Sequence, residues 1–329
     1  MAIYNDVFSI NQVYQLMAEG EWVTTPGMPI PIANAAWAVA STVPAYTGMV
    51  QRMNFSTDTA TMVTKTSLPQ IQGAAASTTS LTYGWIIGGK AATTTLFSSN
   101  ITKITFANDV SAPANVGSLP LAVAESSGVG NMDYGWSGGG RSGSPAIVKT
   151  HVYRITYSSD SSLAALRGPL VATTYLAAST STSDYGWIGG GYPGPSMGSK
   201  VQRIDFANDN VTSTYRGPLS LSRRNLVGVG TPSYGWYCGG NPAPATGTRV
   251  DRIDYANDNA TASIRGTLAL TTYSGYGGND DTYGWVIGGG LPTTTRIQRI
   301  TFATDTALAA YRGNMATLYY GGVGVTGSG

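Results

Sequence analysis

The sequence predicts an all-β fold: a six-bladed β-propeller of four-stranded blades. Three observations lead to it. A tryptophan recurs about every fifty residues along the 329-residue chain. A segment of alternating polar and apolar residues follows each tryptophan, and two shorter segments complete each unit. Units of four short strands that repeat radially form β-propellers.

The tryptophans mark one strand in each unit. Six of the seven lie on a single period: Trp37, Trp85, Trp136, Trp187, Trp236 and Trp285. Five of them stand in a YGW motif that a glycine doublet follows, and Trp37, in AAWAV, lacks the glycines. Tyr and Trp two residues apart face the same side of a strand. We expect the tryptophans to fill the contacts between neighbouring blades, which is a structural role.

The segment after each tryptophan predicts the next strand. The six copies are VQRMNFSTD, ITKITFAND, VYRITYSSD, VQRIDFAND, VDRIDYAND and IQRITFATD. Their period of two is typical of a strand, and the closing Asn-Asp or Ser-Asp is typical of a turn. Two shorter segments follow. One carries Arg-Gly in four units, as in YRGPL at 215–219, and the other is rich in Gly and Ala, as in VGVGT at 227–231.

The order of these segments predicts how the ring closes. The repeat begins at the Trp37 strand and ends at a glycine-rich strand near 321–325. We therefore expect the C-terminal strand to join the three strands of residues 36–70 in one blade, which removes an open sheet edge. The propeller domain is predicted to span 36–329.

Residues 1–35 lie outside the repeat and are predicted to form an anchoring arm. The segment 9–22 has apolar residues at helical spacing, and a Pro-rich linker follows it. A helix of three turns is marginal alone and needs a surface to cover its apolar stripe. That surface is the chain's own ring, a sister subunit or another protein. The residues expected to contact a partner are Ile10, Val13, Tyr14, Met17 and Trp22.

Composition excludes several functions. The net charge of +2 gives no case for nucleic acid, and no apolar stretch is long enough to span a membrane. We expect no signal peptide, because no basic segment precedes an apolar run. Cys238 and His151 are the only cysteine and histidine, so we expect no disulfide, no His/Cys metal site, no cofactor and no catalytic residues. Asp209 and Asp258 suggest calcium ligands, but turn capping is the favoured interpretation.

Two further sets of residues are candidates for interactions. Arg203 with Asp205, and Arg252 with Asp254, recur at one position of the repeat. We expect them to form ion pairs between blades, joined by the arginines of the Arg-Gly segments. Tyr192 and Tyr276 are the candidate exposed aromatic residues of ligand-binding loops.

The run GPLSLSRRNLVGVGTPSYGWYCGG at 217–240, with RIDFAND at 203–209, resembles the kelch repeat. The resemblance covers about residues 36–326 and implies a kelch-like propeller. One feature departs from the kelch pattern: the Trp that usually precedes the Pro turn is replaced by Tyr215, Ile264 or Tyr311. Galactose-oxidase-like kelch enzymes need histidine copper ligands, which a single histidine cannot supply.

More loosely, the YGW-GGG and RIDF-AND pattern resembles repeat proteins encoded by tailed phages of marine bacteria, including cyanobacteria. This resemblance implies a non-enzymatic structural or adhesion component of a virion, of tail, neck or fibre type. Such a protein would be made in the host cytoplasm, attached to other virion proteins through residues 1–35, and arranged as a homo-oligomer in a symmetric assembly. The displayed propeller would contact a host-surface glycan or protein. The alternatives are a carbohydrate-binding module, a capsid decoration protein and a polysaccharide-degrading enzyme.

Overall fold

The computed structural model describes residues 34–39, 48–91, 96–242, 246–290, 294–317, 321 and 323–327. The predicted helix and the partner-contacting residues of the arm lie outside these residues. The described chain forms six four-stranded antiparallel sheets, arranged as the blades of a ring, which confirms the predicted fold class. None of its helical segments has the length and apolar composition of a membrane span.

Within a blade the chain runs from an inner strand to a Trp strand, a third strand and an outer strand. The inner strands of blades 1 to 6 are Val323–Gly327, Ala76–Thr79, Ser127–Gly130, Ala178–Ser181, Val227–Gly230 and Tyr276–Asn279. The Trp strands are Ala35–Val39, Tyr83–Ile87, Tyr134–Gly138, Tyr185–Gly189, Tyr234–Cys238 and Tyr283–Ile287. The third strands are Met49–Asn54, Asn100–Thr105, Val152–Thr156, Val201–Asp205, Arg249–Asp254 and Arg296–Thr301.

The outer strands complete the blades. They are Val63–Ser67, Ala114–Ser118, Ala165–Arg167, Thr214–Arg216, Ser263–Thr267 and Ala310–Asn314. A short hairpin pairs Arg141–Ser142 with Ile147–Val148 in blade 3. Single 3-10 turns follow five of the third strands, at Phe55–Thr57, Phe106–Asn108, Tyr157–Ser159, Tyr255–Asn257 and Phe302–Thr304.

The Trp strands are buried on both faces, because a neighbouring blade covers each side of the sheet. In the strand Tyr185–Gly189 every residue after the tyrosine is buried. The glycine of the YGW motif makes this close approach possible. A Cβ added at Gly186 would lie 2.5 Å from a methyl carbon of Val129 in the preceding blade. The motif therefore combines a large indole with a glycine at a position where there is no room for a Cβ.

The C-terminal strand closes the ring as predicted. Val323–Gly327 pairs with Ala35–Val39, and Trp37 lies between Val325 on one side and Arg52 on the other. Blade 1 therefore takes one strand from the C-terminal end of the chain and three from its beginning. Every Trp strand is therefore paired with an inner strand on one side and a third strand on the other. This pairing avoids an exposed sheet edge in blade 1.

Each tryptophan joins its blade to the next one. Its indole stacks on an aromatic ring of the following blade, with centroids 3.9–4.3 Å apart. Its Nε1 donates to an aspartate that also belongs to the following blade, at 2.8–2.9 Å. The pairs are Trp37–Asp109, Trp85–Asp160, Trp136–Asp209, Trp187–Asp258, Trp236–Asp305 and Trp285–Asp58. The last pair joins blade 6 to blade 1 and completes the circle.

The turn after the third strand supplies both partners of the indole. The aromatic ring and the aspartate are three residues apart, as in Phe106 and Asp109. Residues three apart in a 3-10 turn lie above one another, so both side chains face the preceding blade. Asp209 and Asp258 are therefore acceptors between blades, which differs from the favoured sequence interpretation of turn capping.

Eleven basic side chains pair with the same six aspartates from the preceding blade. The third strands supply Arg52, Lys103, Arg154, Arg203, Arg252 and Arg299. The outer strands supply Lys65, Arg167, Arg216, Arg265 and Arg312. In blade 4, Trp187 and Arg203 are directly opposite each other on neighbouring strands, and both donate to Asp258. The repeated charges are thus used to hold the ring together.

This network predicts that acid destabilises the ring. Burial raises the pKa of Asp58, but hydrogen bonds from Arg312 and Trp285 outweigh it, so the pKa lies below its ordinary value. The pKa of Asp305 is lowered in the same way by Arg265 and Trp236. Groups with a lowered folded pKa stabilise the protein above the unfolded pKa of about 3.9. We expect the free energy of unfolding in urea to be constant near neutral pH and to fall as the pH drops below about 4. A stability that rises on acidification would contradict this expectation.

Candidate functional site

The ring has two different faces. The doublet face carries the loops that contain the glycine doublets 88–89, 139–140, 190–191 and 239–240, together with the links from outer to inner strands. Gly139 and Gly140 have φ values of 73° and 88°, a conformation that glycine adopts without a steric penalty. The turn face carries the 3-10 turns and the short links from inner to Trp strands. The channel between the inner strands joins the two faces and has a volume of about 360 Å³.

The basic residues that do not pair with the six turn aspartates lie on the doublet face. The chain has 19 Lys and Arg residues, and eleven of these are held by the turn aspartates. The other eight are Lys90, Arg141, Lys149, Lys200, Arg223, Arg224, Arg249 and Arg296. Each of them stands in a doublet loop, in an outer-to-inner link or at the start of a third strand. The doublet face is therefore the basic face of the ring.

Two buried carboxylates neutralise half of these cations. Glu125 accepts from Lys90 Nζ at 2.6 Å and binds Arg141 with both oxygens. Burial raises the pKa of Glu125, but the hydrogen bonds from Arg141 and Lys90 outweigh it and hold the pKa below its ordinary value. Asp251 pairs with Arg223 at 2.8 Å and with Arg249 at 3.3 Å. Both carboxylates therefore act as counter-ions within the face.

Six residues surround the channel mouth on this face in a closed cycle of backbone hydrogen bonds. They are Ala74, Glu125, Leu176, Asn225, Ser274 and Gly321, one before each inner strand. Each N–H donates to the carbonyl of the residue in the preceding blade at 2.6–3.1 Å, and the N–H of Ala74 donates to Gly321. The five that are not glycine have φ between 50° and 61°. Left-handed residues cost free energy and cluster at functional sites, so the mouth is the strained part of this scaffold.

A continuous row of charged and aromatic side chains crosses this face beside the mouth. Its members, from blade 2 to blade 5, are Lys90, Glu125, Arg141, Tyr175, Tyr192 and Arg224. The guanidinium of Arg141 lies 4.5 Å from the ring centroid of Tyr175. Tyr175 and Tyr192 have centroids 5.5 Å apart, and the guanidinium of Arg224 lies 5.0 Å from the Tyr192 ring. We call these six residues the cation–tyrosine row.

The row departs from the repeat, and this distinguishes it from the blade interfaces. Lys90, Arg141 and Tyr192 occupy the same place after the doublet in successive blades, and their backbones pair with the corresponding residues Gly73, Ala124 and Tyr175. The backbone is thus repeated while the side chains differ. Side chains that the fold required would recur in every blade, as the tryptophans do. The variation indicates that the fold does not require particular side chains at these positions.

Four cations of the doublet face have no carboxylate partner among the described residues. They are Lys149, Lys200, Arg224 and Arg296. Lys200 and Arg296 lie over Tyr215 and Tyr311, with 4.5 Å and 5.5 Å to the ring centroids. Arg224 differs from them in belonging to the row at the mouth, where it is half-buried beside Tyr192. A guanidinium without a carboxylate counter-ion attracts an anion, because it forms charge-assisted hydrogen bonds with oxyanions.

The two predicted ligand tyrosines are in different environments. Tyr192 lies half-buried in the doublet loop of blade 4 and belongs to the row. Tyr276 is not a loop residue: it begins the inner strand of blade 6 and is only 4% exposed. Its ring packs in the core with Trp285 and Met62, because the first residue of an inner strand faces the interior between blades. Tyr276 is therefore a core residue.

The predicted charge pairs also separate in the structure. Arg203 and Arg252 reach the following blade, where they bind Asp258 and Asp305. Asp205 and Asp254, expected as their partners between blades, instead accept from the backbone of Ala207 and Ala256 in their own turns, each at 3.0 Å. The reason is their place at the end of the third strand, where the chain turns back and the nearest donors are local.

The chain's single cysteine and single histidine both lie among the described residues. Cys238 is buried and its pKa is raised to about 12 by burial, so the thiolate that would react is not formed at neutral pH. Burial and the charge of Lys149 lower the pKa of His151. Within the described ranges, no group of three or more His, Cys, Asp or Glu side chains is arranged to hold a metal ion.

Comparison with known proteins identifies the architecture. No protein family model matches the chain, and no curated protein sequence matches it. The solved structure of YjhT matches 88% of this chain and 99% of its own, with a TM-score of 0.69 and 11% sequence identity. At that identity the likeness concerns the fold alone. Because 357 chains of solved structures match this one, and a fold of this kind hosts many functions, the comparisons support the propeller and do not identify an activity.

Proposed function

We propose that the chain is a non-enzymatic adhesion protein whose ring is a rigid scaffold that presents the doublet face to a ligand. The observation that carries this proposal is the division of the charged residues into two classes. Eleven of the cations are paired with aspartates between blades, whereas the other eight and the tyrosines of the row lie on the doublet face. Binding proteins commonly combine a rigid scaffold with variable loops at one end.

The site supports binding better than it supports catalysis. A polysaccharide-degrading enzyme that uses two carboxyl groups needs one of them protonated, with a raised pKa. Glu125, the carboxyl group of the row, has a lowered pKa and two cationic partners. This environment favours a permanent counter-ion over a proton donor.

The assignment of this adhesion protein to a phage virion, as a tail, neck or fibre component, rests on the resemblance of its repeat to phage-encoded proteins. We propose that residues 1–35 attach the chain to the particle and that the propeller is displayed. The arm has no Lys or Arg and carries Asp6, Glu19 and Glu21, so its charge is opposite to that of the ring. An arm that differs from the domain in composition and lies outside its repeat suits an anchoring segment.

Two measurements test this function. Deletion of residues 1–30 should remove the protein from purified particles while leaving its urea unfolding midpoint unchanged. Added full-length protein should compete with particles for adsorption to host cells, because it presents the same face. A truncated protein that enters particles normally would overturn the anchoring role, and a full-length protein that does not reduce adsorption would overturn the adhesion role.

A further inference from the structure

We propose that Arg224 and Tyr192 form the binding site for an acidic polysaccharide, with the guanidinium pairing with a carboxylate or sulfate group of a sugar unit. This inference rests on the proposed adhesion function and adds to it the position of the site and the ligand class. The supporting observation is that Arg224, at one end of the cation–tyrosine row, has no carboxylate partner among the described residues.

The charge state of the row selects Arg224 as the anion contact. At the other end, Lys90 and Arg141 are both neutralised by Glu125. Arg224 is half-buried and has no carboxylate partner in the part of the chain described. The guanidinium lies over the Tyr192 ring, 5.0 Å from its centroid, and this contact does not neutralise its charge. A guanidinium binds carboxylate and sulfate groups with two parallel hydrogen bonds.

The tyrosines favour a saccharide over other anions. Tyr175 and Tyr192 are half-buried, and their planes are inclined by 59°. They present apolar ring surface directly beside the cation, and aromatic rings of this kind combine an apolar body with a polar hydroxyl. A sugar ring with one acidic group offers a matching pair of features: an apolar C–H face for the ring and an oxyanion for the arginine.

The spacing of the other cations argues against nucleic acid. Lys149, Lys200 and Arg296 belong to the loop regions of blades 3, 4 and 6, and Arg224 leads into blade 5. The unpaired cations are thus distributed one to a blade, whereas a nucleic acid backbone is bound by cations clustered along a track. A polysaccharide with isolated acidic groups fits single, separated cations.

Binding of the full-length protein to alginate oligosaccharides, a polyuronate, and to dextran sulfate oligosaccharides tests the proposal by calorimetry. Neutral dextran and poly-glutamate serve as comparison ligands. The variants are Arg224→Gln and the matched control Arg296→Gln, which removes one unpaired, tyrosine-stacked arginine from the same face. We expect Arg224→Gln to weaken binding by about tenfold or more and Arg296→Gln by less than about twofold. Urea unfolding midpoints of both variants should match that of the parent.

The outcomes separate the alternatives. Preference for alginate or for dextran sulfate distinguishes a carboxylated from a sulfated ligand, and either supports the site. Equal losses in the two variants would show unspecific attraction to a basic face and overturn the proposal. Equal binding of poly-glutamate would indicate an acidic protein partner and also overturn it, as would failure to bind either polysaccharide. If the full-length protein still blocks particle adsorption in those cases, the adhesion function stands and only this ligand site is rejected.

Discussion

A chain that lacks residues 321–329 should fail to close its ring and should show no cooperative unfolding transition. The deletion removes the inner strand of blade 1 and leaves the strand Ala35–Val39 with an unpaired edge. It also removes Val323 and Val325, which pack in the core with Trp37 and Ile86. Loss of each buried valine costs about 2 kcal/mol, and the lost backbone hydrogen bonds add to this. The sum approaches the whole stability of an ordinary domain, about 5–15 kcal/mol.

Urea unfolding followed by tryptophan fluorescence measures this effect, because all six interface tryptophans are buried in the closed ring. The matched control removes only Ser328 and Gly329, which lie beyond the last strand, and it should unfold at the parent's urea concentration. A chain without residues 321–329 that unfolds cooperatively at the parent's midpoint would mean that the C-terminal strand does not close the ring.

The second large effect is expected from Asp209→Ala. The carboxylate of Asp209 accepts from Trp136 Nε1 at 2.8 Å and from Arg154 at 3.0 Å, and it pairs with Arg167 at 3.4 Å. Its side chain is 4% exposed. Truncation leaves a buried indole N–H and two largely enclosed guanidinium groups without their acceptor. Removal of one partner from a buried charge pair costs about 3–5 kcal/mol, and we expect about 3 kcal/mol here because the arginines retain some contact with water.

The control for this variant lies in the same turn. Asp205→Ala removes a partly exposed carboxylate whose contacts are the Ala207 N–H and the Asn208 side chain. Loss of such a local cap costs about 1 kcal/mol or less. Urea unfolding of the two variants should therefore give clearly different midpoints. Equal midpoints would show that the acceptors between blades contribute no more than a turn cap does.

The predictions made from sequence succeeded where the repeat carried the information. The tryptophan period, the two-residue alternation and the complementary ends specified six blades and the strand that closes them. Each of these features is local or periodic, and a property that recurs six times is visible without coordinates. The position of Tyr276 shows the limit: it was predicted to be an exposed loop residue, but it begins the inner strand of its unit and faces the core.

The cation–tyrosine row could not be predicted, because its members come from four blades and share no motif. Of the six residues, sequence reasoning identified Tyr192 alone. The sequence offered only a departure from the repeat: Tyr175 and Arg224 occupy positions where other units have Gly73 or Ala124. Departure from a repeat marks a position as variable, but only the folded ring shows which variable positions are neighbours.

The sequence by itself determined the architecture of this protein, because strand alternation and turn chemistry act over a few residues and the repeat multiplies each signal. Tertiary structure alone decided which charged side chains pair with one another. A carboxylate pairs with whichever cation is brought within a few ångströms, and these distances depend on how one blade faces the next. Asp209 consequently accepts hydrogen bonds from the neighbouring blade, while Asp205, four residues earlier, accepts them within its own turn. Arg224 is left on the doublet face without a carboxylate partner among the described residues.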